Sequence, residues 1–332
     1  MTERPAPDEE GVGGVSFSNL DAPLFDGAGA TKGDLVAYLD AVAGPMVAAL
    51  CDRPLSVVRA RPGQAPFMQK NLPKHAPPWV ARVTLWAETS QRDVAYALCN
   101  DRRTLLWFAN QRAVEYHPTL IRADRWDRPT HLVLDLDPPA TADPAEGFGR
   151  AVRAAHLVRQ ALEGAGLEGA VKTSGAKGVH VFVPLDTDPD DGVTIDDAAA
   201  ASRALAARAE RLDPALATTA FIKEDRGGRV FLDSTRSGGA TVAAAYSPRV
   251  RPGVPVSFPV PWNDLDGVSP SDFTVHTAVA ALAGGDPWAV MMPDPQTLPA
   301  DLVEEGRAIP VPRVAALHEG RRRARAGRDS PG

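Results

Sequence analysis

Cysteine is almost absent from this chain: two residues, Cys51 and Cys99, in 332. That excludes a disulfide framework and a cysteine-rich zinc site, and reduced cytosolic thiols are the simplest reading. Lysine is scarce too. Only Lys32, Lys70, Lys74, Lys172, Lys177 and Lys223 stand among 36 basic residues, and the rest are arginine. The Ala-, Arg- and Pro-heavy usage is that of a GC-rich genome, in which arginine replaces lysine wherever either serves. Surviving lysines are therefore candidates for sites that need a compact ammonium. No apolar run approaches ~20 residues, so no membrane span is expected. The start, 1–14, is acidic and has neither the basic opening nor the apolar stretch of a secretory signal. It and the basic tail 321–332 are expected to be disordered.

What is present is an ordinary globular composition, 44% hydrophobic, enough for one large or two modest domains. The net charge of -6 argues, as a sum, against a nucleic-acid partner, although distribution matters more than the sum. Thr31 is a plausible N-cap for a helix over 32–43, interrupted by Gly44 and Pro45. Strands are expected at 55–59 and 83–87, with a Pro-rich loop, 66–79, between them. That loop carries Phe67, Met68, Gln69 and Lys70. It either stacks on a base while touching phosphates or packs Phe67 and Trp79 into the core. A helix is expected over 101–116, ended by His117-Pro118. Further helices are candidates at 269–282 and 300–319.

From His131 the pattern becomes regular: strand 131–137, helix 143–164, strand 170–173, a tight turn, strand 179–184, helix 195–212, strand 229–233. This β-α-β-β-α-β order is ferredoxin-like or RNA-recognition-motif-like, with the first and third strands as central neighbours and the fourth flanking the first. Alternation puts Leu132, Leu134 and Leu136 on one side of the first strand and Asp135 and Asp137 on the other. Two carboxylates on one strand face repel unless a cation lies between them, and hard divalent ions take carboxylate oxygens. The bland alternative is a strand ending in acidic turn residues. Asp135, Asp137, His180 and Asp233 can share one open face, provided the antiparallel fourth strand has the right register. The turn Ser174-Gly175-Ala176-Lys177-Gly178 suits an oligophosphate. Lys223, Arg226 and Arg229 are either phosphate-neutralising cations or parts of a solvated turn.

These residues, with Asp-Leu-Asp-Pro, Ser-Gly-x-Lys-Gly-x-His, Val-Phe-Leu-Asp and Tyr-Ser-x-Arg in this order, make the chain resemble the archaeo-eukaryotic primase superfamily. Within it, the resemblance is to the polymerase domain of bacterial DNA ligase D and its stand-alone relatives, over about 16–288. It implies an α+β primase-polymerase fold, an RNA-recognition-motif-like βαββαβ catalytic sheet packed with an N-terminal α/β module. The expected layout is one catalytic domain, 15–320: N-terminal module about 15–128, catalytic module about 129–290, extension 291–320.

The resemblance implies that Asp135, Asp137 and Asp233 hold two divalent ions, Mn²⁺ or Mg²⁺, for two-metal nucleotidyl transfer with NTP or dNTP substrates. Ser174, Gly175, Lys177 and His180 would bind the nucleotide, joined by Lys223, Arg226, Arg249 and His117. Phe67 and Met68, with Gln69 and Lys70, would meet the template, and Asn19 and Lys32 a downstream 5′-phosphate. Two departures weaken that anchoring: Ala22 where relatives have lysine, and Met68 where they have a second phenylalanine.

The implied function is template-dependent addition of nucleotides, with ribonucleotides accepted, at gaps or breaks in double-stranded DNA during end joining or gap filling. It carries the expectation of a separate ATP-dependent ligase, since 332 residues leave no room for a ligase module. A Ku-type end-binding protein is a further expected partner, and the location is the bacterial cytoplasm at the nucleoid. Two other classes compete: a non-catalytic DNA-end-binding module, and a metal-dependent phosphohydrolase with Asp135 as nucleophile.

Overall fold

A computed structural model describes residues 14–87, 91–141, 143–188, 190, 192–238, 240–282 and 284–311. The expected disordered tail, the start before Gly14 and the part of the extension beyond 311 lie outside the described residues. Among the described residues no single helix is long and apolar enough to cross a membrane. The chain divides into two units that are not contiguous in sequence. One comprises the chain to Pro118 with Ala243–Ser257 and Ser271–Asp286; the other comprises Thr119–Val242, Phe258–Pro270 and the chain from Pro287.

In the first unit Thr31 caps α1 (Lys32–Ala41) with a full capping box. Its Oγ1 accepts from Asp34 N at 3.1 Å, and Asp34 Oδ2 accepts from Thr31 N at 2.7 Å. Gly44 and Pro45 do not end the helical region. They sit in the first turn of α2 (Ala43–Leu50), where proline's missing N–H removes no intrahelical bond. The sheet is built around β1 (Leu55–Arg61), which pairs antiparallel with β2 (Gln64–Gln69). It continues through the hairpin of β3 (Arg82–Ala87) and β4 (Arg92–Ala97).

Two expectations are corrected here. The first part of the expected loop 66–79 is the edge strand β2, and Phe67 (45% exposed) and Met68 (47%) stand out in solvent rather than in the core. The expected helix 101–116 stops early: α3 (Arg102–Asn110) is capped by Asp101, and Arg112 takes a positive φ of 60°. The chain then runs as strand β5 (Ala113–Pro118), buried at every position and paired with β1. His117 therefore belongs to a strand and ends no helix.

The second unit opens with a hairpin of β6 (Ile121–Arg122) and β7 (Arg125–Pro129). Then follow β8 (His131–Asp137), α4 (Pro144–Glu163), β9 (Ala170–Thr173), β10 (Val179–Pro184), α5 (Ile195–Leu212), β11 (Ala217–Thr218) and β12 (Val230–Asp233). The sheet order is β11-β12-β8-β10-β9. Apart from the short β11, which the sequence did not predict, this is the expected arrangement. Leu132, Leu134 and Leu136 of β8, Val179, Val181 and Val183 of β10, and Val230 and Leu232 of β12 are all buried, while α4 and α5 pack on the sheet. That burial leaves the alternate residues for the other face. The helix Ala300–Ala308, shorter than the expected 300–319, packs on α5.

Candidate active site

The registers of three strand pairs create one transverse polar row. Lys172 on β9 lies opposite His180 on β10, His180 lies opposite Asp135 on β8, and Asp135 lies opposite Asp233 on β12. The antiparallel fourth strand thus brings Asp233 to Asp135, the register that the shared face required. His180 Nε2 is 3.2 Å from Asp135 Oδ1, and Lys172 Nζ is 2.8 Å from His180 Nδ1.

Arg236 closes the row. The short 3₁₀ helix Thr235–Gly238 follows β12 directly, and Arg236 reaches Asp135 Oδ2 through Nη2 at 3.1 Å and Asp233 Oδ2 through Nε at 3.3 Å. Asp233 Oδ1 accepts from Thr235 N at 2.8 Å and Thr235 Oγ1 at 2.6 Å. Burial alone would raise the Asp135 carboxyl, but His180 and then Arg236 hold it well below the usual carboxylate range.

Asp137 is in the opposite situation. It keeps solvent access at the end of β8, yet partial desolvation, then repulsion from Asp135 and Asp233, pushes it up to about 6. Three carboxylates thus share one neighbourhood, and Asp137 bears the cost of the repulsion. This all-oxygen donor set is the kind that Mg²⁺ or Mn²⁺ takes. Among the described residues no three such side chains are already gathered as a metal site; Asp135 and Asp233 are turned toward Arg236 instead. The chemistry of the donor set fits a divalent ion, with Arg236 as the cation it would share them with.

The turn after β9 lies against the end of β8. A Cβ on Gly178 would stand 2.0 Å from the Leu136 carbonyl oxygen, so only glycine fits. Gly175 takes φ +66°. Ser174 Oγ accepts from the amides of Ala176 at 3.2 Å and Gly178 at 3.1 Å. Two amides expected to cradle phosphate are therefore held inside the turn, and Lys177 is its exposed cation. Lys223 and Arg226 lie on a 3₁₀ turn, Lys223–Arg226. Lys223 is exposed. The Arg226 guanidinium stacks 3.8 Å from the Phe231 ring centroid and bonds the carbonyls of Ala220 and Phe221. Arg229 is likewise fastened within the turn, to the carbonyls of Asp225 and Arg226.

The remaining site residues lie in the first unit. His117 Nε2 and Arg249 Nε meet Glu115 Oε2 at 2.8 and 3.2 Å, and Glu115 Oε1 accepts from Val250 N at 2.8 Å. Against the upward push of burial, His117, Arg249 and the Val250 amide pull Glu115 down to about 2. Phe67 lies 5.6 Å from the Arg59 guanidinium, and Arg59 Nη1 donates to Gln69 at 3.1 Å. Lys70, just past β2, is exposed. Asn19 and Lys32 line one cavity of about 330 Å³ with Arg59, Arg61 and Arg112. Lys32 Nζ donates to Ser18 O at 2.6 Å and Asn110 Oδ1 at 2.5 Å, and burial followed by the charge of Arg112 lowers its pKa. Reading the sequence missed Arg236, Glu115 and the three arginines. The one available signal was the i,i+3 spacing of Asp233 and Arg236.

The family model of the LigD primase-polymerase domain matches residues 31–288. The multifunctional non-homologous end joining DNA repair protein LigD of Mycobacterium tuberculosis (strain ATCC 25618 / H37Rv) is 34% identical over 265 residues, 76% of this chain and 33% of that protein. The bifunctional non-homologous end joining protein LigD of Bacillus subtilis is 28% identical over 294 residues, 87% of this chain and 46% of that protein. The chain thus spans a third to just under half of these relatives. Among solved structures, the polymerase domain from Mycobacterium tuberculosis Ligase D in complex with DNA superposes with a TM-score of 0.74 at 31% identity. That match covers 85% of this chain and 99% of the solved one. A match of this extent, on a sheet whose register gathers the acidic motif residues, means that the chain belongs to the LigD primase-polymerase family.

Proposed function

We propose that the chain is a template-dependent nucleotidyltransferase that extends primer ends at short gaps or breaks in DNA. The observation that carries the reading is the set Asp135, Asp137 and Asp233 on one sheet face beside the Ser174–Gly178 turn. Asp135, Asp137 and Asp233 would hold two divalent ions, Mn²⁺ or Mg²⁺, which when bound supply charge neutralisation and activation of the attacking hydroxyl. His180 orients Asp135 by donating to it, while Lys177, Lys223 and Arg226 offer positive charge to the polyphosphate of an NTP or dNTP. Ser174 and Gly175 keep the turn in shape for that contact. In the first unit, Glu115 orients His117 and Arg249, which we assign to phosphate contacts.

Phe67 and Met68 are exposed, and beside Gln69 and Lys70 they form a surface suited to stacking on an unpaired template base. We assign the cavity holding Asn19 and Lys32 to a downstream 5′-phosphate. Lys32 already serves two oxygen acceptors, as do Arg59 and Arg112, so those three act chiefly through their charge, and Arg61 beside them offsets the alanine at position 22. DNA is a bound partner of the solved relative, and the relatives' names speak of end joining. We extend both to this chain, together with acceptance of ribonucleotides, a separate ATP-dependent ligase, a Ku-type end-binding partner and a place at the bacterial nucleoid.

The test is primer extension across a short gap with Mn²⁺, comparing each of the four nucleotides opposite each template base. Incorporation that follows the template supports the reading. Binding of gapped DNA without incorporation would replace it with an end-binding module, and release of phosphate from simple phosphoesters without template would replace it with a phosphohydrolase.

A further inference from the structure

Lys172 is the least expected member of the polar row. It is completely buried (0% exposed) in a chain where arginine replaces lysine almost everywhere. Its Nζ lies 2.8 Å from His180 Nδ1 and 5.4 Å from the centroid of the Phe182 ring. Desolvating an ammonium is costly unless its donors are used. A guanidinium, larger and planar, would not fit as the compact point donor this contact requires.

We propose that Lys172 is a positioning residue that fixes the tautomer of His180 and, through it, the orientation of the Asp135 carboxylate. An ammonium has three donors and no acceptor, so its contact must be received by a bare Nδ1. The neutral ring then carries its proton on Nε2, where Asp135 Oδ1 receives it at 3.2 Å. With Oδ1 held from one side and Oδ2 shared with Arg236 at 3.1 Å, the carboxylate cannot rotate about its Cβ–Cγ bond. Its remaining lone pairs are presented in one geometry to whatever binds on the open face. Outer hydrogen bonds commonly orient ligating side chains in this way. The consequence for catalysis rests on the nucleotidyltransferase reading; the tautomer does not.

The experiment is long-range ¹H–¹⁵N correlation NMR of the metal-free full chain labelled at histidine, with His180 assigned by its loss in His180→Gln. The wild type is expected to show a protonated Nε2 and a bare Nδ1. Lys172→Met keeps length and removes the donors, so His180 should become a mixture of tautomers. Lys172→Gln retains an amide donor and should largely restore the Nε2–H form. In primer extension, Lys172→Met should lower kcat roughly 10- to 100-fold with KM for gapped DNA little changed, and Lys172→Gln should recover part of it. A wild-type ring protonated on Nδ1, or a folded Lys172→Met with unchanged His180 signals, overturns the proposal. If Lys172→Met does not fold, the wild-type spectrum and Lys172→Gln decide. If the tautomer is as expected but the wild type incorporates nothing, the nucleotidyltransferase reading fails and the tautomer assignment stands.

Discussion

Asp233 lies directly across the β8–β12 ladder from Asp135. Two carboxylates in that position repel, and the chain answers with Arg236 bridging both at 3.1 and 3.3 Å. Asp137 on the same face gains less from Arg236 and Arg226 than it loses to desolvation and to repulsion from Asp135 and Asp233, and its pKa is pushed up to about 6.

The first prediction concerns that bridge. Arg236→Gln should destabilise the metal-free protein by roughly 1–3 kcal/mol, less than a fully buried pair because part of the guanidinium reaches water. Millimolar Mn²⁺ should then raise the melting temperature of the variant more than that of the wild type, since the ion takes over the neutralisation. Equal shifts in the two proteins would contradict the role given to Arg236.

Much of the second unit was legible in the sequence, because Leu132, Leu134 and Leu136 alternate strictly with Asp135 and Asp137 around a buried face. Strand β2 was not: its residues are exposed or half-exposed on both faces, so no alternation betrays it, and Pro66 disguises it as a loop. Strand β5 was hidden for another reason. The apolar pattern of α3 runs on into Val114 and Tyr116, and only the positive φ of Arg112 separates helix from strand. The partners of the acidic residues were the least legible. Glu115 meets Arg249, and Lys172 meets His180, through strand pairing and chain return that no local pattern encodes.

Glycines give the second prediction. Ala for Gly in a helix normally stabilises by up to ~1 kcal/mol. Gly306→Ala should do the reverse, by about 1–3 kcal/mol, because its Cβ would stand 1.8 Å from the Ala200 carbonyl oxygen. Gly178→Ala meets the Leu136 carbonyl oxygen at 2.0 Å and should cost a similar amount. Measured by denaturant unfolding and then by primer extension below the transition, only Gly178→Ala should also lose activity.

The third prediction is a pH dependence. Glu115 is held near 2 by His117, Arg249 and the Val250 amide against the push of burial. A depressed carboxylate contributes stability that is complete above its unfolded value, about 4.3, and is lost as pH falls toward the folded value. Wild type should therefore exceed Glu115→Gln in stability at pH 5 by a margin on the order of 3 kcal/mol. The margin should shrink steadily from there to pH 2. A margin that does not change over that window would refute the ion-pair account of Glu115.

The fourth concerns the arginine-lined cavity. Arg61→Ala should reduce the preference for a downstream 5′-phosphate over a 5′-hydroxyl by roughly tenfold, about 1.4 kcal/mol. Extension of an open primer-template should be unaffected. Equal losses on phosphate and hydroxyl substrates would remove the phosphate from this cavity.

The most direct measurement is templated single-nucleotide incorporation by wild type and Asp137→Asn, each paired with gapped-DNA binding by anisotropy and a melting curve. The account predicts that Asp137→Asn melts at or above the wild-type temperature, because a repelled charge has gone, and binds DNA comparably. It also predicts incorporation no faster than a protein-free control. Undiminished templated incorporation by folded Asp137→Asn would contradict the assignment of Asp135, Asp137 and Asp233 together as the catalytic centre.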